Sequence, residues 1–385
     1  AEFRFSGDGR EEAQMSAAFK EDLFPAEKHI INDDIMHCTA DSVVGNHLYS
    51  GRALGISEPW DLIQLNPQLE PLWDAISAHY RRIGLTHSSS VIWDLDRGHL
   101  GRHIGYKPSV FFFGMDEYRV WGDHKWLEAV RYVNSKNNFM SIAEELGVDV
   151  PLTRCFNSVR EISIEEIDAL VYPCYLKAAV SVAGVGIYRC EDRKAFLQAV
   201  AGFDDDVPVQ IQEEVITDTF LNMQYQVVGN RLVRLAASEQ ILEGFAHQGN
   251  RVPACHAPWK SVDPLAYWLL ERGIRGIFAF DIAVIETRSG PRFSAIECNP
   301  RFNGASYPTL IANKLGISRW SAVTMRTVHR HLGTIDLTGI EYDPQTGEGV
   351  ILVNWGTVLV GKLVVLLAGS REVQDALFVE LASRL

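Results

Sequence analysis

Residues 278–301, FAFDIAVIETRSGPRFSAIECNPR, constrain this chain more than any other stretch. Apolar and polar residues alternate on either side of a polar turn at 287–291, which predicts two strands joined as a hairpin. Side chains two apart on a strand share a face, so Glu297 and Asn299 point the same way. With Glu286 paired to Arg292, Asp281 lies opposite Glu297, and three oxygen-bearing side chains share one face. Ala279, Ala283 and Ala295 fall on that face and leave room above it, whereas Phe280, Ile282, Val284 and Ile296 read as core. Clustered carboxylate and amide oxygens suit a hard cation such as magnesium, held by one or two carboxylates together with phosphates. A solvated polar face is the plain alternative for two acids in a hairpin. The alanines beside them, and Pro300-Arg301 directly after, favour the cation.

At 385 residues the chain has room for two or three lobes and a sizeable core. Its 47% hydrophobic and 22% charged residues belong to an ordinary soluble globular protein. A net charge of −13, without any Lys/Arg run, argues against nucleic acid as a partner. Cys38, Cys155, Cys174, Cys190, Cys255 and Cys298 are scattered without CxxC spacing, so a reducing cytoplasm fits better than a disulfide framework or a zinc knuckle. No signal peptide is visible. The long apolar run at 350–368 is broken at Gly356 and Gly361-Lys362, which predicts buried strands and not a membrane helix.

The chain reads as α/β followed by α+β. An amphipathic helix at 66–83 ending on Gly84, with short strands at 90–93 and 109–114, suggests a small Rossmann-like domain over 1–122. Gly98, Gly101 and Gly105 there do not follow a strand in the dinucleotide-binding pattern. A smaller lobe over 123–205 is predicted to hold helices at 123–133 and 137–146, a strand at 172–178, a glycine-bearing loop, and a helix capped near Asp192. The remainder, 206–385, is predicted as a larger lobe. It has strands at 209–215, 222–228 and 232–239, a helix from Asp263 to Arg272, the hairpin, helices at 307–315 and 319–331, apolar strands, and a last helix at 372–384.

Lys177 ends its predicted strand just before AAVSVAGVG, where an ammonium and loop N–H groups, with Gly184 and Gly186, can surround a polyphosphate. Lys136 opens a helix, a position the helix dipole does not favour for a cation, which hints at an anionic partner. VQIQEEVI at 209–216 ends a strand on Glu213-Glu214, where a carboxylate and backbone atoms can meet a base edge.

The order of these parts resembles the ATP-grasp superfamily over roughly residues 134–316. Lysine–helix–GVDVP, strand–lysine–glycine loop, strand–EE and Asp…Glu-Cys-Asn-Pro-Arg follow one another, and ECNPR is the most specific part. The resemblance implies two lobes that clamp ATP behind a Rossmann-like preceding domain. It implies that Lys136 and Lys177 contact ATP phosphates under a loop containing Gly184 and Gly186. Glu213 would meet adenine, with backbone atoms of Glu214 and Ile216. Asp281, Glu297 and Asn299 would hold one or two magnesium ions, with manganese as a substitute. Arg301, with Lys177, would act on the transferred phosphoryl group. Two departures stand out: the loop has few glycines, and Glu213-Glu214 replaces the frequent Glu-Lys. Asn222 and Gln224 stand where a ribose-binding acid is often found.

By that resemblance the chain is expected to be a carboxylate–amine ligase, loosely like L-amino-acid ligases. It would activate a small acid as an acyl phosphate, which an amine then attacks. A carboxylase-like or acid–thiol ligase, or a regulatory ATP-binding module, are the alternatives. Small-molecule carboxylate and amine partners are expected, with no membrane partner and a homodimer allowed. Arg251, His256 and Arg301 are candidate substrate contacts; His247 and Lys260 lie in the same stretch, EGFAHQGNRVPACHAPWK.

Overall fold

The structure, a computed structural model, describes residues 27–39, 43–180, 186–243 and 246–385. Among the described residues, strands form three sheets. The first is parallel, in the order β3-β2-β1-β4, with β1 at His29–Asn32, β2 at Leu62–Gln64, β3 at Val91–Ile92 and β4 at Lys107–Val110. The second is antiparallel, β5-β8-β6-β7, built from β5 (Thr153–Phe156), β6 (Cys174–Ala178), β7 (Ile187–Cys190) and β8 (Val209–Glu213).

The third sheet has eight antiparallel strands, and it carries the hairpin at one end. It contains β9 (Phe220–Val228), β10 (Arg231–Glu243), β11 (Ala246–Val252), β12 (Gly276–Thr287), β13 (Gly290–Asn299), β14 (Trp320–Arg326), β15 (Gly349–Asn354) and β16 (Lys362–Ala368). Their order is β13-β12-β9-β10-β11-β14-β16-β15.

Three apolar cores hold these sheets. One joins Ile31, Ile63, Tyr80 and Tyr307 to the apolar strands β15 and β16. The C-terminal strands thus bury one surface against the first domain. A second core packs helices His124–Val133, Lys136–Glu145 and Trp259–Glu271 on β9, β12 and β13. The third lies between the small sheet and helix Arg193–Val200. Helices His124–Val133 and Lys136–Glu145 therefore share a core with the larger sheet, although they precede the small sheet in sequence. The division at 122 and 205 remains a proposal about lobe order.

Local chemistry explains most helix starts. Asp123, Ser135 and Asp192 each accept a backbone N–H three residues on. Four expectations are corrected. The helix predicted at 66–83 is a 3-10 turn, Pro67–Leu72, followed by an α-helix, Trp73–Arg82, because Pro71 supplies no backbone donor. Asp263 lies within Trp259–Glu271 and caps nothing; its carboxylate accepts from the Tyr225 hydroxyl (3.0 Å) and from Arg234. The helix predicted at 319–331 is strand β14, whose Trp320, Val323 and Thr324 suit a pleated surface and which fills the gap between β11 and β16.

The fourth correction concerns the hairpin register. Glu286 pairs with Pro291, not Arg292, so the turn is one residue tighter than predicted. A β-bulge then restores the offset: Ile282 faces Ala295 but Asp281 faces Glu297, leaving Ile296 as the extra residue. Ala295 consequently joins the second core, while Ile296 moves to the face shared by Glu297.

Candidate functional site

The small sheet and the hairpin end of the large sheet border one cleft of about 1420 Å³. Lys136, Lys177, Glu213, Glu214, Ile216, Asp281, Glu297, Asn299 and Arg301 all line it. Residues from four separate strands and one helix N-terminus therefore converge as the sequence reading expects.

Asp281 lies inside the large sheet, between Asn222 on β9 and Glu297 on β13. Its carboxylate accepts N–H bonds from Asn222 (2.7 Å), Gln240 (2.7 Å) and Asn299 (2.9 Å). Burial, together with the neighbouring Glu297 charge, nevertheless pushes its pKa up to about 7. Burial pulls Glu297 the same way, but Lys136, Lys177 and Arg301 outweigh it and lower its pKa. Two facing carboxylates that resist sharing negative charge are a fit for a divalent cation, and every candidate ligand atom is oxygen. Asp281, Glu297 and Asn299 would hold such an ion.

The cations come from three places: the start of helix Lys136–Glu145, strand β6 of the small sheet, and the turn just after β13. The Lys136 backbone N–H is tied to the Ala179 carbonyl (2.6 Å), and its ammonium donates to Glu297 at 2.5 Å. Lys177 is only 9% exposed and donates to Gln212 Oε1 at 2.6 Å. Burial, reinforced by the Lys136 charge, depresses its pKa to about 8 against the opposing pull of Glu297. Arg301 donates to Asn299 Oδ1 at 2.5 Å. The three charges together offset that of Glu297, and a polyphosphate would give them a second set of partners.

The rim of the small sheet is more committed than predicted. The Glu213 carboxylate accepts the Leu152 backbone N–H at 2.9 Å, and Glu214 pairs with Arg189 on β7. Ile216 is 87% exposed. Gly186 has a φ of 79°, which suits glycine where the chain turns into β7, and its carbonyl accepts from Ala178 N–H. It is not among the residues lining the cleft, and Gly184 lies outside the described residues.

Two substrate candidates do not reach the cleft. Arg251 alternates to the face opposite Asn250 on β11, where Arg371, Glu239 and Asp375 are its charged neighbours. His256 packs its ring on Phe293, 5.5 Å between centroids. The same stretch supplies His247 and Asn250 instead, joined by a 2.7 Å hydrogen bond. Asn250 donates in turn to Ser238 (3.0 Å), and burial keeps the His247 pKa low. Period-2 alternation along 249–252 separates Asn250 from Arg251, and a bulge at Gln248 returns His247 to the Asn250 face. Gln212 and Gln240 were not singled out by sequence, since a glutamine in a strand carries no signature. Of the ribose candidates, Asn222 lines the cleft, while Gln224 is buried and donates to Thr309 at 2.9 Å.

No protein-family model matches this sequence, and no curated protein matches it. Solved structures do. An N5-carboxyaminoimidazole synthetase from Staphylococcus aureus, complexed with ADP, is 12% identical with a TM-score of 0.56, over 94% of this chain and 99% of that one. The Thermus thermophilus N5-carboxyaminoimidazole ribonucleotide synthetase is 13% identical with a TM-score of 0.55, over 93% and 98%. The Aspergillus clavatus synthase, in complex with ADP and 5-aminoimidazole ribonucleotide, is 11% identical with a TM-score of 0.53, over 86% and 99%. Three sheets in this arrangement, matched along nearly the whole chain, give this protein the ATP-grasp fold.

Proposed function

We propose that this chain is an ATP-dependent carboxylate–amine ligase. It activates a small carboxylic acid, an amino acid or a related metabolite, as an acyl phosphate, and an amine displaces the phosphate to form an amide. The observation that carries this is the convergence of Lys136, Lys177 and Arg301 with Asp281, Glu297 and Asn299 in one cleft. A carboxylate is a poor electrophile, and phosphorylation gives it a leaving group. Bringing it to a triphosphate means juxtaposing two anions, so the protein must offset their repulsion and fix their geometry.

In this reading Lys136 and Lys177 bind the phosphates, and Arg301 grips the phosphoryl group in transit through its planar fork. A magnesium ion on Asp281, Glu297 and Asn299 would supply charge neutralisation at the β- and γ-phosphates. Val215 and Ile216, with Glu213 and Glu214, offer the rim on which an adenine base would rest. Two of the similar structures are complexes with ADP, which supports a nucleotide in this cleft. Small-molecule partners follow from the size of the cleft. Among the described residues no helix is long and apolar enough to cross a membrane, and the described cysteines are free thiols. A cytoplasmic location, and a homodimer, belong to the proposal.

One observation favours a second reading, a carboxylase-like ligase: the similar structures are synthetases whose names specify carboxylated aminoimidazole products. A screen of ATP-dependent phosphate release against paired amino acids, small acids and bicarbonate separates the two. Turnover with an acid–amine pair supports the first reading, and turnover with bicarbonate supports the second. Asp281→Asn and Glu297→Gln are expected to stay folded and lose magnesium-dependent turnover. Undiminished turnover in either would refute the assignment.

A further inference from the structure

A buried ionic and aromatic cluster adjoins the cleft from the first domain. Asp33 follows β1 and Phe111 follows β4, the two neighbouring strands of the parallel sheet. Arg52 is 7% exposed and donates its Nε to Asp33 at 3.0 Å. Its guanidinium carbon lies 4.2 Å from the Tyr307 ring centroid, 4.8 Å from Phe111 and 5.0 Å from Tyr49. Tyr307 donates its hydroxyl to the Asp33 carboxylate, at 2.5 and 2.6 Å from the two oxygens. Burial pushes the Asp33 pKa up to about 6 in spite of both partners, so this ion pair is costly to keep.

The cluster meets the cleft at Phe111. The Arg301 guanidinium carbon lies 5.8 Å from the centroid of the same ring. The next residue, Phe302, donates its backbone N–H to the Phe111 carbonyl at 3.1 Å. The Phe302 ring stacks on Tyr307, 5.5 Å between centroids and 27° between planes. Arg301 is thus held at its side chain and through its neighbour's backbone by Phe111, and through its neighbour's ring by Tyr307. Asp33 and Arg52 fix both aromatic residues. An apolar filling of equal volume would cost no stability, but it would not set the angle of Tyr307 or the plane of Phe111.

We propose that Asp33, Arg52, Phe111 and Tyr307 are positioning residues for Arg301, so that the first domain sets the geometry of phosphoryl transfer in the cleft. This rests on the role given to Arg301 above. Binding of Mg·ADP alone, and of Mg·ADP with fluoroaluminate as a mimic of the phosphoryl group in flight, isolates that geometry. Titration calorimetry on the full chain gives the ratio of the two Kd values. Wild type should bind the mimic more tightly, and Arg301→Ala should abolish the gain. Tyr307→Phe and Phe111→Leu should cut the gain by at least about tenfold while Mg·ADP affinity stays within about twofold, because small misplacements of a transition-state contact are costly.

Tyr80→Phe is the control. It removes another fully buried hydroxyl of the same apolar core, which donates to the Leu352 carbonyl at 2.9 Å and makes no hydrogen bond to the cluster. It should lower stability without altering the ratio. If the Tyr307 and Phe111 variants keep the full gain while Arg301→Ala loses it, the positioning proposal is overturned and the role of Arg301 stands. An equal loss in Tyr80→Phe would also overturn it, since loosening alone would then suffice. If wild type shows no gain, or Arg301→Ala keeps it, the role of Arg301 falls and this proposal falls with it.

Discussion

Lys136 and Glu297 hold each other in this structure, yet in the proposed complex each has another task, Lys136 on phosphate and Glu297 on the cation. Their mutual attraction should therefore be measurable without ligand and vanish with it. Unit charges 4 Å apart attract by about 4 kcal/mol at an effective dielectric of about 20. The side chains are 12% and 31% exposed, so solvent and salt screen that attraction to about half. A coupling energy of about 2 kcal/mol remains. Urea denaturation of wild type, Lys136→Met, Glu297→Gln and the double variant gives this value directly from a double-mutant cycle. Repeated at one fixed, saturating concentration of Mg·ADP, the coupling should fall below about 0.5 kcal/mol, within the error of additivity. A coupling that persists undiminished in Mg·ADP would mean that the pair is a structural staple, and the exchange of partners would be refuted.

Three other outcomes are expected. Lys177 holds its proton less firmly in the folded chain (about 8) than its ordinary 10.5, so the unfolded chain binds more protons between these values. Stability should climb from pH 8 to 10.5 by up to about 3 kcal/mol, and Lys177→Met should flatten that rise in a denaturation series. Glu341 runs the other way. Burial would raise it, but hydrogen bonds from Arg82 and His79 hold it at about 2, below its ordinary 4.5. His79 is itself kept neutral by burial and accepts the Leu352 N–H on Nε2, so it donates from Nδ1, and the charge on Glu341 is met by Arg82. Its stabilisation is complete above pH 4.5 and lost as pH falls through 2. Because Arg82 is exposed and screened, Glu341→Gln should cost about 1–2 kcal/mol at neutral pH and nothing in strong acid. Finally, a Cβ at Gly249 would stand 1.8 Å from the Ala322 carbonyl oxygen. Gly249→Ala should therefore part β11 from β14 and lower stability by about 3 kcal/mol, visible as a fall in Tm.

What the sequence makes legible here is what short-range chemistry decides. Alternation places Asp281, Glu297 and Asn299 together, and Ser135 marks the helix start that carries Lys136. The tighter turn and the extra residue at Ile296 are not legible, because they cancel: each alone would misplace Glu297, and together they restore it. Strand β14 is misread as a helix because RWSAVTMRTV carries apolar residues at both spacings, and only the open edges of β11 and β16 decide. Residue type and a place between the nucleotide strands and the hairpin favour Arg251 and His256, and neither tells which face of the strand a side chain takes. The partners of the charged groups are a different matter. Gln240 reaches Asp281 across 41 residues and Tyr307 reaches Asp33 across 274, distances over which no local pattern operates.

The odd residue at Ile296 divides one continuous strand into two phases. Before it, Phe293 and Ala295 answer to the helices packed beneath; after it, Glu297 and Asn299 answer to the open cavity above, with Cys298 between them returned to the core. The tip at Arg288-Ser289 is exposed and lies beyond that change of phase. Substitutions there can retune the hairpin's length or charge without dragging the carboxylate along. Only Cys298 still couples core fit to ligand geometry within these ten residues.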